Sequence, residues 1–378
     1  MRIAFLAEPG EPLRAGALEE VPLGGSESAL LLAARELARR GHAVTLACKG
    51  APDGTEWEGV RLRDLRAAAR ELPGVDAIVT LNRLIDRSEL ERLAPRRPLY
   101  VHWHQNDAFS AYGERLGDPA LGAHVDLFVF VSHTQAAAFL AARALEPRRA
   151  AVIANPVSPP FRGLFPDDAP VLAAKDPDLL VYASAPNRGL VPLLRGVLPR
   201  LRASRASLRL EVFSGFQLDQ GLGYRARDGA PRTDFYAALL GECEATPGVT
   251  LRRGIPKPRL AEAFRVAAML CYPCTYRETC CVAALEAMAA GCQVSTTDVG
   301  ALPETTGGFA GLTHAPPQPP YDQLCADFAE NTLRMLAERA RDPEALERRL
   351  RRQIDYVLRN HDPAVVGAQW ERLLARAA

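Results

Sequence analysis

The sequence predicts an α/β protein of two domains, each built on a parallel sheet covered by helices. Short β-rich runs alternate with helical segments along the chain, which is the pattern of parallel sheets. The length of 378 residues exceeds what one ordinary hydrophobic core supports. Six prolines punctuate residues 155–178, as is typical of a linker. In open domains of this class we expect a ligand beyond the carboxyl ends of the strands.

The first predicted domain covers residues 1–160. A helix opens at Gly24-Gly25-Ser26, with Ser26 as its N-cap, and ends near Arg40 because Gly41 follows. Strands are expected at the apolar runs Ile3–Ala7, Ala43–Cys48, Ala77–Thr80, Leu99–His102, Leu127–Ser132 and Ala151–Ile153.

The second predicted domain covers residues 161–360, and residues 361–378 form a closing helix that Asp362 caps and Pro363 starts. Strands of the second domain are expected at Leu179–Ala183, Leu208–Phe213, Val249–Arg252, Met269–Tyr272 and Gln293–Thr296. Helices of this part are expected at Gly189–Leu201, Thr233–Cys243, Arg259–Ala267, Val282–Ala290, Tyr321–Arg341 and Glu344–Arg359.

The composition argues against several classes of function. The formal net charge is +1, so no strong field attracts nucleic acid or an anionic membrane. We see no charged leader and no apolar run long enough to span a bilayer, so we expect a cytoplasmic protein with reduced cysteines. Cys271 and Cys274 have C-x-x-C spacing, for which zinc or redox chemistry is the alternative to small core residues. The basic run 348–352 favours a solvated helix face, with a membrane-surface role as the alternative.

Glu278 and Glu286 are the most informative pair in the chain. They stand eight residues apart. Glu286 lies within a short apolar helix that ends at Gly291, and Glu278 lies ahead of that helix, where backbone N–H groups are free. A helix N-terminus binds phosphate, and a carboxylate on each side can accept hydrogen bonds from hydroxyl groups. The pair therefore predicts a site for a sugar joined to a nucleotide diphosphate, and a surface acid followed by an amphipathic helix is the alternative.

Two segments of the first domain contain candidate binding residues. Gly24 and Gly25 let backbone N–H groups approach a phosphate or sugar closely, although a simple glycine turn is the alternative. Since this is not the G-x-G-x-x-G fingerprint, hydride transfer is not favoured. His104 follows a predicted strand, where it can hydrogen-bond a substrate hydroxyl, act as acid or base, or be structural. His102 and His104 could also bind a metal from one face of the strand, but no third ligand is evident nearby.

Two loops of the second domain contain further candidates. Arg188 follows the first strand, where a guanidinium can clamp a diphosphate with two parallel hydrogen bonds. A surface arginine at a helix start is the alternative. In Gly254-Ile255-Pro256-Lys257, Ile255 can pack on a nucleobase and Lys257 can add positive charge near phosphate.

The segment Tyr272–Val294 resembles the E-x7-E signature, with its LEAMAAG continuation, of the retaining GT-B glycosyltransferases of family four. Residues 300–304, Gly-Ala-Leu-Pro-Glu, are similar to the loop that follows in that family, and residues 131–132 and 152–157 are similar to its end-of-first-domain pattern. With the early glycine pair, the histidine strand and the closing Trp370 helix, the resemblance covers nearly the whole chain. It implies two facing Rossmann-like domains, with the C-terminal helix returning to the first domain.

The resemblance also implies a role for each matching residue of the second domain. Glu278 would hold hydroxyls of the donor sugar and Glu286 the ribose, while Arg188 would bind the diphosphate and stabilise the leaving group. The backbone N–H groups expected to face the phosphates lie near Thr279, Cys280 and Cys281.

In the first domain, the resemblance places His104 near the donor sugar, as part of a catalytic set with Glu278 and Arg188, and lines the cleft with Gly24 and Gly25. The chain also departs from the family. Residues 279–281 replace the usual Gly-Phe-Gly, Arg188 replaces the usual lysine, and Ala183 stands where an arginine is common. A proline follows Asn155 in place of the usual glycine, and Ser158 replaces an aspartate. These departures suggest a sub-branch of the family.

The resemblance implies a retaining, hexosyl-type transferase that moves a sugar from a nucleotide-diphosphate donor to a hydroxyl of a glycan, lipid-linked or small-molecule acceptor. We expect metal-independent transfer, with no cofactor beyond the nucleotide sugar as co-substrate, because Arg188, Lys257 and a helix N-terminus can meet the phosphate charge. A nucleotide-sugar 2-epimerase of the GT-B fold and a non-catalytic nucleotide-sugar-binding partner of another transferase are the alternatives. We expect no nucleic-acid partner, and a peripheral contact with the inner membrane surface stays open.

Overall fold

Two α/β units make up the protein. The computed structural model describes residues 1–8, 13–68, 72–143, 145–214, 233–316 and 320–377. The first unit comprises Met1–Leu18, Gly24–Pro156 and His361–Ala378, and the second comprises Glu19–Leu23 and Val157–Asn360. Each unit has its own predominantly parallel sheet, so the predicted fold class with two parallel sheets is confirmed.

The first unit is built on an eight-stranded sheet in the order β3-β4-β2-β1-β5-β6-β7-β8. All neighbouring strands are parallel except β3 and β4, which pair in antiparallel fashion. The central strands are apolar along their length because helices cover both faces of a parallel sheet. The strands are β1 (Arg2–Ala7), β2 (Ala43–Cys48), β3 (Thr55–Trp57), β4 (Val60–Asp64), β5 (Ala77–Leu81), β6 (Leu99–Trp103), β7 (Leu127–Phe130) and β8 (Ala150–Val152).

The helices before Pro156 vary widely in length. They are α1 (Ala17–Glu20), α2 (Gly25–Arg39), α3 (Leu65–Ala68), α4 (Arg87–Leu93), α5 (Ala111–Glu114), α6 (Pro119–Gly122) and α7 (His133–Arg143). Helix α2 is the helix predicted at the glycine pair, but its N-cap is Gly24 rather than Ser26. The prediction of Ser26 was wrong because the helix begins at Gly25, two residues before the start that a Ser26 N-cap implies.

The second unit is built on a six-stranded sheet, all parallel, in the order β11-β10-β9-β12-β13-β14. The strands are β9 (Asp176–Ala183), β10 (Arg209–Phe213), β11 (Val249–Arg252), β12 (Ala267–Tyr272), β13 (Gln293–Thr297) and β14 (Gly311–Thr313). Counted within the unit, this is the order 3-2-1-4-5-6 of a doubly wound sheet. The strand order reverses between β9 and β12, and ligands of such sheets bind beyond the carboxyl ends of the strands at that reversal.

Helices accompany this sheet and continue after it. They are α8 (Leu190–Pro192), α9 (Leu198–Ser204), α10 (Thr233–Ala245), α11 (Lys257–Val266), α12 (Val282–Ala289), α13 (Leu302–Thr306), α14 (Tyr321–Leu336), α15 (Glu338–Arg341), α16 (Pro343–His361) and α17 (Pro363–Ala377). The single helix predicted over Gly189–Leu201 is instead α8, a π-helical segment at Leu193–Val197, and α9. Among the described helices, none has the length and apolar character that crossing a membrane requires.

Helix α17 packs on α2 in the first unit. Trp370 of α17 is fully buried, with its ring edge-on to those of Trp103 (centroids 4.9 Å apart) and Phe5 (6.3 Å). Gly367 allows this packing, because a Cβ there would lie 2.6 Å from Cβ of Glu36. The closing helix therefore completes the core of the first unit.

Candidate functional site

The candidate site of the second unit lies where the strand order reverses. The loop after β9 contains Arg188, and the loop after the neighbouring strand β12 contains Glu278. Parallel strands end at the same edge of a sheet, so these two loops meet. The nitrogen Nη1 of Arg188 lies 3.2 Å from Oε1 of Glu278.

Glu278 is buried, with 6% of its surface exposed, and two side chains donate hydrogen bonds to its carboxylate. The hydroxyl of Tyr272 donates to Oε1 of Glu278 at 2.5 Å, and Arg188 donates to the same oxygen. Burial raises the pKa of Tyr272 well above its usual value, so the hydroxyl stays protonated and remains a donor. Since a carboxylate only accepts, the single Tyr272 proton goes to Glu278, and the hydroxyl of Ser184, 3.2 Å away, must be the donor to Tyr272.

The backbone of Glu278 is fixed by the loop after β13. The amide of Ala301 donates to the carbonyl of Glu278 at 2.7 Å. Gly300 has a left-handed φ of +64°, and a Cβ there would lie 2.4 Å from that carbonyl oxygen and 2.7 Å from the Glu278 nitrogen. Only glycine fits at position 300 without displacing Glu278.

Arg188 lies in a 3₁₀ turn, Pro186–Arg188, directly after β9. Its guanidinium stacks over the Tyr276 ring, with Cζ 4.3 Å from the ring centroid, and 32% of the side chain is exposed. The next residue, Gly189, has φ +132°, and a Cβ there would lie 2.5 Å from the Pro273 carbonyl oxygen. The close approach of the two loops therefore aims the guanidinium at Glu278 and leaves part of it open to a ligand.

Glu286 forms a separate buried cluster with Lys257 and Ser158. It lies in α12 and is 1% exposed, and Lys257 is the first residue of α11. The ammonium Nζ donates to Oε1 at 2.7 Å and to Oε2 at 2.8 Å, and the Ser158 hydroxyl donates to Oε1 at 2.8 Å. Lys257 was predicted to supply charge near phosphate, whereas in the structure its ammonium is paired with Glu286.

The segment between the two acids leads into α12. Cys281 is the N-cap of α12 and makes no side-chain hydrogen bond to the helix. Cys280 and Cys281 are buried, and Thr279 is half-buried. Burial raises the pKa of the Cys281 thiol well above its usual value, so this cysteine is a neutral side chain. Ile255 lies in a half-buried loop after the edge strand β11, just ahead of Lys257.

The metal and redox alternatives gain no support from the residues that the structure describes. Cys271 and Cys274 are buried free thiols, and burial raises the pKa of each to about 12. No group of three or more histidine, cysteine, aspartate or glutamate side chains in the described ranges is placed to hold a metal ion. Asp176 and Asp178 have D-x-D spacing, but they start β9 and pair with Arg209 and Arg205 respectively.

The first unit contains the remaining predicted site residues. His102 Nε2 lies 3.2 Å from His104 Nδ1, and His102 Nδ1 lies 3.1 Å from the Thr80 hydroxyl, so the two rings belong to one buried chain of hydrogen bonds. Burial lowers the pKa of His102 to about 3 and that of His104 well below its usual value. In the described part of the chain, His104 Nε2 has no hydrogen-bond partner. Gly24 and Gly25 form the N-terminus of α2, after β1.

The fold is that of the GT-B glycosyltransferases, as three solved structures demonstrate. WaaG, a glycosyltransferase involved in lipopolysaccharide biosynthesis, is 15% identical, with a TM-score of 0.66 over 98% of this chain and 99% of that one. Alr3699/HepE from Anabaena, solved in complex with UDP, is 13% identical, with a TM-score of 0.67 over 100% of both chains. The sucrose-phosphate synthase tll1590 from Thermosynechococcus elongatus is 18% identical, with a TM-score of 0.66 over 100% of this chain and 99% of that one. No curated protein matches this chain in sequence.

Residues 176–338 match the family model described as glycosyl transferases group 1. This segment begins with β9 and includes Arg188, Lys257, Glu278 and Glu286. The part of the chain that contains the candidate site therefore matches the group 1 glycosyltransferases, and the resemblance predicted from the E-x7-E segment is confirmed. Membership of family four and a retaining mechanism stay predictions.

The structure brings the predicted residues together in part. Arg188 joins Glu278, and Lys257 joins Glu286, whereas His104, Gly24 and Gly25 belong to the other unit. Three residues with direct roles in these clusters were given no role by the sequence reasoning: Tyr272, Ser158 and Gly300. The available signals were a tyrosine at the end of a buried strand and a glycine in the loop after β13, the strand that follows α12.

Proposed function

We propose that this protein is a retaining glycosyltransferase that transfers a hexosyl group from a nucleotide-diphosphate sugar to an acceptor hydroxyl. The observation that carries the proposal is Glu278, a buried carboxylate held by Tyr272 and Arg188 where the strand order of a group 1 glycosyltransferase sheet reverses.

The donor would bind along the second unit. Arg188 is partly exposed and is suited to a diphosphate, while Glu278 would accept hydrogen bonds from hydroxyls of the sugar. The backbone N–H groups near Thr279, Cys280 and Cys281, at the start of α12, would face the phosphates. Glu286 would contact the ribose. Structures of Alr3699/HepE from Anabaena with UDP and with UDP-glucose support a nucleotide-sugar donor.

The chemistry would proceed on one face of the sugar. The bond between the anomeric carbon and the phosphate oxygen breaks as the acceptor oxygen forms its bond to the same face. The acceptor proton passes to the departing phosphate oxygen. Arg188 would stabilise the negative charge that develops on the leaving group, together with the N-terminal end of α12. Because Lys257 is already paired with Glu286, we assign it no phosphate contact, and we propose that the donor needs no further cofactor.

The first unit would supply His104, Gly24 and Gly25. Burial lowers the pKa of His104, so the ring is neutral near pH 7. His104 would therefore hydrogen-bond the transferred sugar rather than supply a positive charge. The acceptor would be a glycan, a lipid-linked sugar or a small molecule, and the net charge of +1 gives no reason to invoke nucleic acid.

The test begins with a thermal-shift screen against UDP-, GDP- and ADP-sugars. A ligand at 100 times its Kd stabilises the folded state by about 2.7 kcal/mol, which is a shift of several degrees. Turnover of the selected donor is then followed with a panel of acceptors, and the anomeric configuration of the product is determined by NMR.

We expect a product that keeps the donor's configuration, and Glu278→Gln should abolish its formation while leaving the protein folded. An inverted product would refute the retaining mechanism. Rapid epimerisation of the donor without acceptor would identify an epimerase. Donor binding without turnover in the parent protein would indicate a non-catalytic binding protein, and turnover unaffected by Glu278→Gln would refute the role of Glu278.

A further inference from the structure

Residues 104–114, which follow β6 in the first unit, expose two aromatic rings, and we call this segment the aromatic loop. Phe109 is 56% exposed and Tyr112 is 39% exposed. The strand order of the first sheet reverses between β1 and β5, and β6 is the neighbour of β5. The aromatic loop therefore leaves the sheet at the carboxyl end of a strand beside that reversal, which is where ligands of such sheets bind.

Amide side chains fix the first half of the aromatic loop. The buried Gln135 of α7 donates through Nε2 to the carbonyl oxygen of Asn106 at 2.7 Å and to that of His104 at 3.2 Å. Asn82, after β5, has a left-handed φ of +59°, and its Oδ1 accepts from the backbone amide of Gln105 at 2.8 Å. A residue other than glycine rarely adopts this conformation, and such residues are concentrated at functional sites.

Arg143 of α7 fixes the second half of the aromatic loop. Its Nη2 donates to the carbonyl oxygen of Ala108 at 2.6 Å, and its Nε donates to that of Gly113 at 3.3 Å. The Ser110 hydroxyl accepts from the Gly113 amide at 3.0 Å, and a Cβ at Gly113 would lie 2.8 Å from the Ala108 carbonyl oxygen. The loop is thus fixed before any ligand arrives, so little ordering cost opposes binding. Exposed aromatic side chains on a fixed loop are typical of binding surfaces.

We propose that the aromatic loop binds a neutral sugar ring of the acceptor, with Phe109 and Tyr112 as the contact residues. A pyranose presents polarised C–H groups on its flat side, and the negative face of an aromatic ring attracts them. The hydroxyl groups at the edge of the sugar stay free to hydrogen-bond neighbouring polar groups. This inference rests on the proposed function, and it names the class of acceptor and the residues that hold it.

The charge around the aromatic loop favours a neutral sugar over a lipid surface. Residues 107–118 contain more acids than bases, namely Asp107, Glu114 and Asp118 against Arg115. An anionic membrane attracts clusters of lysine and arginine and repels carboxylates. The guanidinium of Arg143 donates to two backbone carbonyl oxygens, so it is engaged in fixing the loop. Carboxylates accept hydrogen bonds from hydroxyl groups, so the same acids suit a sugar.

The first experiment measures sugar binding directly and needs no donor. Saturation-transfer difference NMR is recorded on the full chain with methyl glycosides of glucose, galactose, mannose and N-acetylglucosamine, and with methyl glucuronide as the charged comparison. We expect saturation of the C–H protons of at least one neutral glycoside, and its loss in Phe109→Ala and Tyr112→Ala. Transfer to no neutral glycoside, preference for the glucuronide, or equal transfer in both alanine variants would overturn the inference.

The second experiment measures the KM for the acceptor selected in the turnover panel. Phe109→Ala should raise that KM by about 10-fold and change the donor KM by less than about three-fold. Phe109→Trp should keep the acceptor KM because a ring face remains. Phe235→Ala, which removes an exposed ring of the second unit, is the matched control and should leave both constants unchanged. An unchanged acceptor KM in both Phe109→Ala and Tyr112→Ala, with Tm recorded for each variant, would refute the contact.

A third measurement separates the sugar from a lipid surface. The parent protein should not sediment with vesicles of phosphatidylcholine and phosphatidylglycerol. Sedimentation that Phe109→Ala abolishes, with the KM for a soluble acceptor unchanged, would overturn the inference in favour of a membrane contact. Failure of the parent protein to bind any nucleotide sugar would instead refute the proposed function, and the NMR experiment would still decide whether the aromatic loop binds a sugar.

Discussion

Replacing Gly300 by alanine should damage activity far more than it damages folding. The substitution has two separable costs. The first is conformational, because a left-handed φ of +64° disfavours any residue with a Cβ by about 1–2 kcal/mol. The second is steric, because the new Cβ would lie 2.4 Å from the carbonyl oxygen of Glu278, about 1 Å inside the 3.4 Å at which ordinary contact begins.

Gly308 provides a matched control for Gly300. It has a φ of +82°, and nothing lies within 4 Å of a Cβ built there. Gly308→Ala therefore has the conformational cost alone. Gly308→Ala should lose about 1–2 kcal/mol of unfolding free energy, with a fall in Tm of about 2–4 °C per kcal/mol, and Gly300→Ala should lose more because its steric cost is added.

Only Gly300→Ala should displace Glu278. A shift of about 1 Å in a catalytic group can lower a rate by about 100-fold, and we expect a loss of that order in kcat. The assay is release of nucleoside diphosphate from the selected donor in the presence of acceptor, with Tm recorded for each variant. If the two alanine variants show the same kcat, the argument that Gly300 positions Glu278 is refuted.

Three further predictions follow from the two clusters and the histidines. Glu286→Ala should weaken nucleotide binding and Glu278→Ala should mainly lower kcat; calorimetry with free nucleotide tests this, and an equal loss of affinity in both contradicts the division of roles. Tyr272→Phe removes one donor to Glu278 and should lower kcat by about 10-fold or more at little cost in Tm, so an unchanged kcat would show that this hydrogen bond is dispensable. His102 and His104 have pKa values below the unfolded value of about 6.5, so the unfolded chain binds more protons and stability falls as the pH drops below 6.5. Urea unfolding at pH 7.5 and 5.0 should reveal a loss of about 2 kcal/mol per histidine, and equal stabilities would mean that the rings are not held neutral.

The parallel strands and the loops of the site could be predicted from local pattern. Strand β12 was expected at Met269–Tyr272 and spans Ala267–Tyr272, because a continuous apolar run is the mark of a strand buried on both faces. The end of α12 was expected at Gly291, which has φ +66°. In such places the residues themselves encode the backbone geometry.

Elements with weaker local signals were missed. The antiparallel hairpin of β3 and β4 lies in a charged stretch, and its turn at Glu58 and Gly59 has φ values of +45° and +83°. The glutamate there gave no turn signal of its own, although the glycine did. The helix predicted at Gly189–Leu201 was broken because Pro192 ends α8 and Pro199 lies in the first turn of α9, and apolar periodicity alone does not reveal the effect of these prolines.

The partners of the two acids could not be derived from spacing. Lys257 is 29 residues from Glu286, and Ser158 is 128 residues away.

The rarity of lysine in the chain was the one compositional signal for Lys257. The chain has 46 lysines and arginines, but its only lysines are Lys49, Lys175 and Lys257. Two of these three are buried with specific oxygen partners, so a rare lysine in an arginine-rich chain marks a place where a guanidinium does not fit.

The position of Trp370 has a consequence for biosynthesis. The ring surfaces of Phe5 and Trp103 that contact it are made before the chain reaches Pro156, but Trp370 emerges only after the roughly 200 residues of Val157–Asn360. At about 5–20 residues per second, the nascent unit waits on the order of 10–40 s with those rings uncovered. The second unit can thus finish folding on the ribosome before the first. A pause in its translation would leave the first unit without α17, incomplete and prone to aggregate.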